Sequence, residues 1–176
     1  MPVPGVRLAR SLIAALGLSI PAAANPRLQG SQGHYSVSVF VPVTLQRAWQ
    51  VLSNYEGMAG VMPDIQQAKV ISRQGKTLVL AQTYQAPYTF GLRIQARLLV
   101  EETPPTQLRY TLIRGDRIRQ LRGRWTLSPV AGGVQVRHQI EVEPELPALL
   151  RPSYNELSEA NLVQSMQVLR RLMVQR

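Results

Sequence analysis

Three side chains that could do chemistry lie in segments with the alternating pattern of β-strands: Tyr84, Tyr110 and His138. In the segment around His138, the other even-numbered residues from 134 to 142 are valine or isoleucine, so this histidine is expected on an apolar face. Both tyrosines share a face with leucines and could donate hydrogen bonds to the oxygen of a quinone or another carbonyl compound. Each of the three could equally be an ordinary core residue.

Several kinds of reactive site are excluded by composition. The chain has no cysteine, which rules out thiol catalysis, thiolate metal sites and disulfides. His34 and His138 are the only histidines, and no glycine-rich phosphate loop, metal motif or serine-histidine-acid motif occurs. We therefore expect no metal, no cofactor and no identifiable catalytic residue. The alternative is an enzyme of cyclase or hydratase type that uses His138, Tyr84 or Tyr110 as acid or base.

The positive charge comes almost entirely from arginine. The formal net charge is +10, and six arginines fall between residues 109 and 124. Arg114, Arg117 and Arg119 flank a Gly-Asp turn signal, so they are expected at one end of a hairpin. Such a face could meet an anionic membrane surface, could bind an acidic partner as an interaction module, or could simply be solvated.

The first residues have the pattern of an export signal. Arg7 and Arg10 precede the apolar run 11–20, and Ala22 and Ala24 supply the small residues of a cleavage site. The run is shorter than the roughly 20 residues that span a bilayer. We expect a signal peptide over residues 1–24 and a mature protein in the periplasm or an equivalent compartment, with an uncleaved N-terminal anchor as the alternative. Export argues against a nucleic-acid partner.

The remaining chain predicts one α+β domain. Residues 25–33 are rich in Gly, Gln and Pro and are expected to be a linker, and residues 34–176 form the domain. A strand over 35–41 precedes a helix capped by Thr44 that ends near Asn54. Short turn signals then separate six further strands, which favours antiparallel neighbours. These strands are predicted at residues 65–74, 77–86, 89–103, 107–115, 118–129 and 133–143.

The segment from 153 to 175 lacks Gly and Pro and predicts one long C-terminal helix. Leu162 and Met166 belong to a central apolar stripe, and a broad apolar arc surrounds it. Ser158, Asn161 and Ser165 lie inside this arc. They could let the helix approach the sheet closely, or they could face a cavity and offer polar contacts to a ligand.

An irregular apolar segment follows the first helix: Val51–Val70 reads VLSNYEGMAGVMPDIQQAKV. It resembles the signature segment of the START-like superfamily, in the branch that contains polyketide cyclase/dehydrase and coenzyme Q-binding START-domain proteins. The matching residues are Asn54, Tyr55, Glu56, Met62 and Pro63. The order of elements also resembles the helix-grip fold of that superfamily, a seven-stranded antiparallel sheet wrapped around a long C-terminal helix.

The resemblance implies a deep apolar cavity between sheet and helix, with Met58, Val61 and Met62 facing it. The expected ligand is a hydrophobic small molecule or lipid, such as a quinone-, isoprenoid- or polyketide-like compound, held by a carrier or chaperone. Transient contact with an anionic membrane is expected through Arg114, Arg117 and Arg119, and no oligomeric state is predicted. The residues expected to contact the ligand are Tyr55, Met58, Met62, Pro63, Tyr84, Tyr110, His138, Ser158, Leu162, Ser165 and Met166.

Overall fold

The computed structural model describes residues 25–175, so the predicted signal peptide lies outside the described residues. Eight strands and two helices follow one another in the order that the sequence pattern predicts, apart from one additional strand at the start. The elements are β1 (Arg27–Ser31), β2 (His34–Val41), α1 (Leu45–Leu52), β3 (Ile65–Gln74), β4 (Thr77–Tyr84), β5 (Ile94–Thr103), β6 (Gln107–Gly115), β7 (Ile118–Val130), β8 (Gly133–Pro144) and α2 (Arg151–Val174).

The strands form one antiparallel sheet in the order β1-β2-β8-β7-β6-β5-β4-β3. Every strand from β3 to β7 pairs with the next one along the chain, as the short joints between them favour. The strand β2 pairs with β8 and so joins the start of the domain to its end. Apolar side chains of the inner face pack under α2, which contacts β2 and α1. This is the helix-grip arrangement expected from the sequence.

Two boundaries differ from the prediction. The segment predicted as a linker contains β1, which pairs with β2 over five residues, so the sheet has eight strands and not seven. Gly30 and Gly33 have positive φ and allow the tight connection, which is why the composition looked like a linker. The strand predicted from residue 89 begins only at Ile94, because Pro87–Thr89 forms a 3₁₀ turn.

Side-chain hydrogen bonds satisfy backbone groups at the start of α1 and at the end of α2. The side chain of Thr44 accepts a hydrogen bond from Arg47 N at 3.2 Å and caps α1 as predicted. The guanidinium of Arg47, in the first turn of α1, donates to the carbonyl oxygens of Leu172, Met173 and Gln175 at the end of α2. These carbonyls have no partner within the helix, so Arg47 attaches the end of α2 to α1.

Candidate ligand-binding cavity

A cavity of about 220 Å³ lies between the inner face of the sheet, α2 and the segment that follows α1. A single buried water needs about 10–15 Å³ on this kind of measure, so the space is far larger than a packing defect. Most of its wall is aliphatic or aromatic. A well-formed apolar cavity with few polar groups is typical of a small-molecule site.

The structure places ten of the eleven predicted ligand contacts on the wall of this cavity. Pro63 is the exception: Met62 and Asp64 on either side of it face the cavity, and Pro63 does not. The ten that line the cavity are Tyr55, Met58, Met62, Tyr84, Tyr110, His138, Ser158, Leu162, Ser165 and Met166. Their contact with a ligand remains a prediction.

The segment after α1 contains apolar residues because part of it is cavity wall. Met62 N donates to Met58 O at 3.0 Å, so the two methionines are one helical turn apart and lie on the same side. Both are buried. The prediction that Val61 faces the cavity is wrong, because the same turn directs its side chain to solvent, where 46% of it is exposed.

The motif residues around Tyr55 hold this segment against the sheet. The hydroxyl of Tyr55 donates to Glu102 Oε1 at 2.6 Å, and Arg73 binds the same carboxylate at 2.9 Å. Burial alone would raise the pKa of Glu102, but the bonds from Arg73 and Tyr55 outweigh it and lower that pKa. Glu56 accepts a hydrogen bond from Val70 N at 3.0 Å. The motif therefore has a structural role besides lining the cavity.

His138 and Tyr110 form a buried pair on the inner face. Tyr110 Oη lies 2.7 Å from His138 Nε2, and the indole of Trp125 stacks on the imidazole with ring centroids 3.9 Å apart. Burial lowers the pKa of His138 to about 3, so the imidazole is neutral at physiological pH. In the tautomer that carries its hydrogen on Nδ1, Nε2 accepts a hydrogen bond from the Tyr110 hydroxyl. Burial also raises the pKa of Tyr110 well above its usual value.

Further polar groups on the wall were not among the predicted contacts. Asp64 Oδ2 accepts a hydrogen bond from Tyr88 Oη at 3.1 Å. On β4, Tyr84 Oη donates to Gln82 Oε1 at 2.5 Å, and Gln82 is its neighbour on the same face of the strand. One sequence signal could have indicated Asp64, which is an acid directly after the apolar Met-Pro pair.

The small polar residues of α2 face the cavity. Ser158, Asn161 and Ser165 are all buried, and all three line its wall. Asn161 Nδ2 lies 3.4 Å from Ser165 Oγ, one turn along the helix. Of the two alternatives left by the sequence, the position beside free space is the one that the structure shows.

The three arginines predicted to meet a membrane differ in their surroundings. Arg117 lines the cavity and is exposed. Arg119 lies within 3.5 Å of Glu143 and 3.9 Å of Glu145, so its charge is partly neutralised. Arg114, on β6, lies opposite another arginine, Arg97 on the neighbouring strand β5. They do not form one uniform patch.

Comparison with known families decides the classification. The model of the family described as polyketide cyclase / dehydrase and lipid transport matches residues 41–166 of this chain. The chain belongs to this family. The matched region includes the segment after α1, the Tyr110–His138 and Tyr84–Gln82 pairs of the sheet, and most of α2. No curated protein sequence matches the chain significantly.

Solved structures of the wider START superfamily share the fold. The Zhui aromatase/cyclase from Streptomyces sp. R1128 superposes with a TM-score of 0.67 at 13% identity, covering 84% of this chain and 94% of that chain. A STAR-related lipid transfer protein from Xanthomonas axonopodis gives 0.62 at 15% identity, covering 86% and 99%. A START superfamily protein from Mycobacterium smegmatis gives 0.59 at 17% identity, covering 77% and 95%. Proteins that share this fold thus include an aromatase/cyclase and a lipid transfer protein.

Two other kinds of functional feature are absent from residues 25–175. No group of three or more histidine and acidic side chains in that range could hold a metal ion. Neither α1 nor α2 combines the length and the apolar character needed to cross a membrane.

Proposed function

We propose that this protein binds a hydrophobic small molecule or lipid in the cavity under α2 and acts as a carrier or chaperone for it. The observation that carries the proposal is the cavity itself: its volume is about 220 Å³ and its wall is mainly apolar. Tyr84 and Tyr110 provide hydroxyls on the wall, which suits a quinone-, isoprenoid- or polyketide-like compound with a few oxygen atoms.

The protonation states on the wall favour binding over catalysis. A general acid or base works best when its pKa lies near the working pH. Here burial moves the pKa of His138 down to about 3 and the pKa of Tyr110 well up. At neutral pH the imidazole therefore accepts a hydrogen bond but is a poor base, and the phenol is a poor acid.

A cyclase-type activity is the second candidate, and the Tyr110–His138 hydrogen bond is the observation in its favour. A substrate carbonyl beside Tyr110 could replace His138 Nε2 as the acceptor of the phenol's hydrogen bond. The phenol would then polarise the carbonyl as a hydrogen-bond donor without losing its proton. The fold relationship to an aromatase/cyclase makes this alternative worth testing.

Extraction of the purified protein separates the candidates. Organic extracts of the folded protein and of protein unfolded in urea are compared by mass spectrometry. An apolar compound released unchanged, in a fixed ratio to protein, supports a carrier. Conversion of that compound on prolonged incubation, abolished in Tyr110→Phe while binding persists, supports the enzyme. Absence of any bound compound, together with failure to bind 2-naphthol or a fatty acid, would reject the proposed cavity function.

Membrane loading through Arg117 and export of the protein are further parts of the proposal. Phe90 and Leu92 line the cavity and are 41% and 43% exposed, and Arg117 is a third exposed residue of the wall, so the cavity lining reaches the surface at both apolar and basic side chains. Amphipathic surfaces bind anionic bilayers through the burial of apolar side chains and through the attraction between basic side chains and anionic lipids. N-terminal sequencing of the native protein tests export, with a start near Asn25 expected and an intact Met1 contradicting it.

A further inference from the structure

Asp64 is a half-buried carboxyl group on the wall of an apolar cavity. Tyr88 donates to its Oδ2 at 3.1 Å. Within residues 25–175, no arginine, lysine or histidine lies within 4.0 Å of this carboxyl, since every ion pair of the described chain involves other acids. An acid in such a place is unusual, because buried carboxylates are normally paired with a cation.

The position of Asp64 costs stability that a neutral side chain would not cost. Burial raises the pKa of Asp64, and the hydrogen bonds from Tyr88 and Asn161 offset this only in part. An amide or a hydroxyl could accept the Tyr88 bond equally well without the cost of burying a charge. Groups that are costly to the fold and face a cavity are candidates for ligand recognition.

A second polar group on the wall of the same cavity has unused hydrogen-bonding capacity. Ser158 lines the same cavity, and its buried Oγ lies beside Tyr154 without a hydrogen bond of normal geometry. Tyr154 packs edge-on against Tyr88 with ring centroids 5.9 Å apart. The aromatic pair therefore links Ser158 to the Asp64 carboxyl. This end of the cavity has polar groups that the protein does not fully satisfy, as expected of a site completed by a ligand.

We propose that Asp64 accepts a hydrogen bond from a hydroxyl group of the bound molecule, and that this bond selects hydroxylated ligands over their alkylated or purely hydrocarbon analogues. The inference rests on the proposed cavity function and adds a specificity determinant to it. A neutral hydroxyl fits better than an ammonium group for two reasons. The chain carries a net charge of +10, and Arg117 lies on the cavity wall, so both repel a cation.

The discrimination should be large enough to measure. A buried acceptor that loses its partner remains desolvated, so a site built around a hydrogen bond rejects an analogue that lacks the donor. We expect the full chain to bind 2-naphthol at least about tenfold more tightly than 2-methoxynaphthalene, which has the same ring system and no donor. Calorimetric titration at neutral pH and moderate salt measures both dissociation constants.

Two substitutions at position 64 test the assignment. Asp64→Leu removes the acceptor but keeps the branching at Cγ, and it should reduce the ratio of the two dissociation constants to about one. Asp64→Asn keeps a neutral acceptor and should leave a ratio of only a few-fold, while raising the urea midpoint because the buried carboxyl is gone. If Asp64→Leu does not fold, Asp64→Asn carries the test. Asp116→Asn, at an exposed turn, is the matched control and should leave the ratio unchanged.

The outcomes separate this inference from the cavity function. If both naphthalene compounds bind with equal affinity to wild type, the selectivity is refuted while the cavity function stands. A ratio that is unchanged in both Asp64 variants refutes the assignment to Asp64. Tighter binding of 2-(aminomethyl)naphthalene, a cation, than of 2-naphthol would overturn the choice of a hydroxyl. If none of the three compounds binds, the cavity proposal itself fails.

Discussion

The hydroxyl of Tyr110 and the Nε2 of His138 lie 2.7 Å apart, although Tyr110 belongs to β6 and His138 to β8, two strands that are separated by β7. The bond crosses β7 over Gly123, which pairs with Tyr110 on one side. A side chain at position 123 would occupy the path of the phenol. The glycine is thus what allows two polar side chains to meet on an otherwise apolar face.

Acid should destabilise the protein through His138. The unfolded histidine has a pKa near 6.5, while burial holds the folded value at about 3. As the pH falls below about 6.5 the unfolded state binds the proton first, so the free energy of unfolding decreases until about pH 3. The slope from this group is at most about 1.4 kcal/mol per pH unit. His138→Gln keeps an acceptor for Tyr110 and should flatten the curve between pH 6.5 and 4.

Urea unfolding at a series of pH values makes this measurement. His34→Gln is the matched control, because His34 is exposed on β2 and 75% of its side chain is accessible. The prediction is contradicted if His34→Gln flattens the curve as much as His138→Gln does.

Gly123→Ala should be much more costly than Gly115→Ala. A Cβ at Gly123 would lie 2.3 Å from Tyr110 Oη and 2.7 Å from Gln139 O, so the phenol must move and its bond to His138 is lost. We expect a loss of about 2–4 kcal/mol, from overpacking together with the lost hydrogen bond. At Gly115 the nearest atom is a flexible leucine methyl at 3.2 Å. Equal unfolding free energies for the two variants would show that the fit over Gly123 is unimportant.

The bond between Tyr55 and Glu102 should contribute measurably to stability. Tyr55→Phe removes a 2.6 Å hydrogen bond to a carboxylate whose side chain is only 8% exposed, and the expected loss is about 1–3 kcal/mol. The exposed ion pairs of Arg119 give the comparison, since Arg119→Gln should cost less than about 1 kcal/mol. Chemical denaturation measures both. A loss for Arg119→Gln equal to or larger than that for Tyr55→Phe would contradict the prediction.

Enlarging a cavity residue should affect binding more than folding. Leu162 lines the cavity, whereas Leu169 is completely buried and does not line it. Leu162→Phe extends into free space and should weaken 2-naphthol binding about tenfold with little change in melting temperature. Leu169→Phe overpacks the core and should cost about 1–3 kcal/mol. If Leu162→Phe binds normally but unfolds more easily, position 162 is ordinary core.

Binding to anionic vesicles should depend more on Arg117 than on Arg119. A basic residue near anionic headgroups contributes about 1 kcal/mol, which is roughly fivefold in the partition coefficient. Arg119 already faces Glu143 and Glu145, so Arg119→Gln should have a smaller effect than Arg117→Gln. Sedimentation with vesicles of anionic and of neutral lipid at low and high salt measures the difference. Indistinguishable binding to the two lipids at low salt would refute membrane contact through these arginines.

The sheet and the long helix could be predicted because their information is local. Alternation along β8 and the 3.6-residue pattern of α2 follow from the sequence alone. The strand β1 could not be predicted in this way. Its residues 27–31 are almost all exposed, so they carry no apolar alternation, and its pairing with β2 depends on two glycines with positive φ.

The cavity wall could be predicted in part, mainly through resemblance and helical spacing. The pairing of Tyr110 with His138 could not, because the distance between two strands that do not pair depends on the missing side chain at Gly123. The group around Asp64 combines a loop, a 3₁₀ turn and α2, so no periodicity connects its members. Long-range packing brings these side chains together, and the spacing of residues along the sequence does not predict such contacts.

The side-chain hydrogen bonds that connect α2 to other elements lie at its last turns, so a rotation of the helix would be resisted most at that end. Arg47 donates to three carbonyls there, and Arg170 donates to Phe40 O nearby. The first turn has no side-chain cap, and it rests on Tyr88 through the ring of Tyr154. A small rotation about the Arg47 contacts would therefore produce its largest displacement at the first turns of α2. The aromatic contact there would separate first, and the Asp64 end of the cavity would open while the far end stays closed.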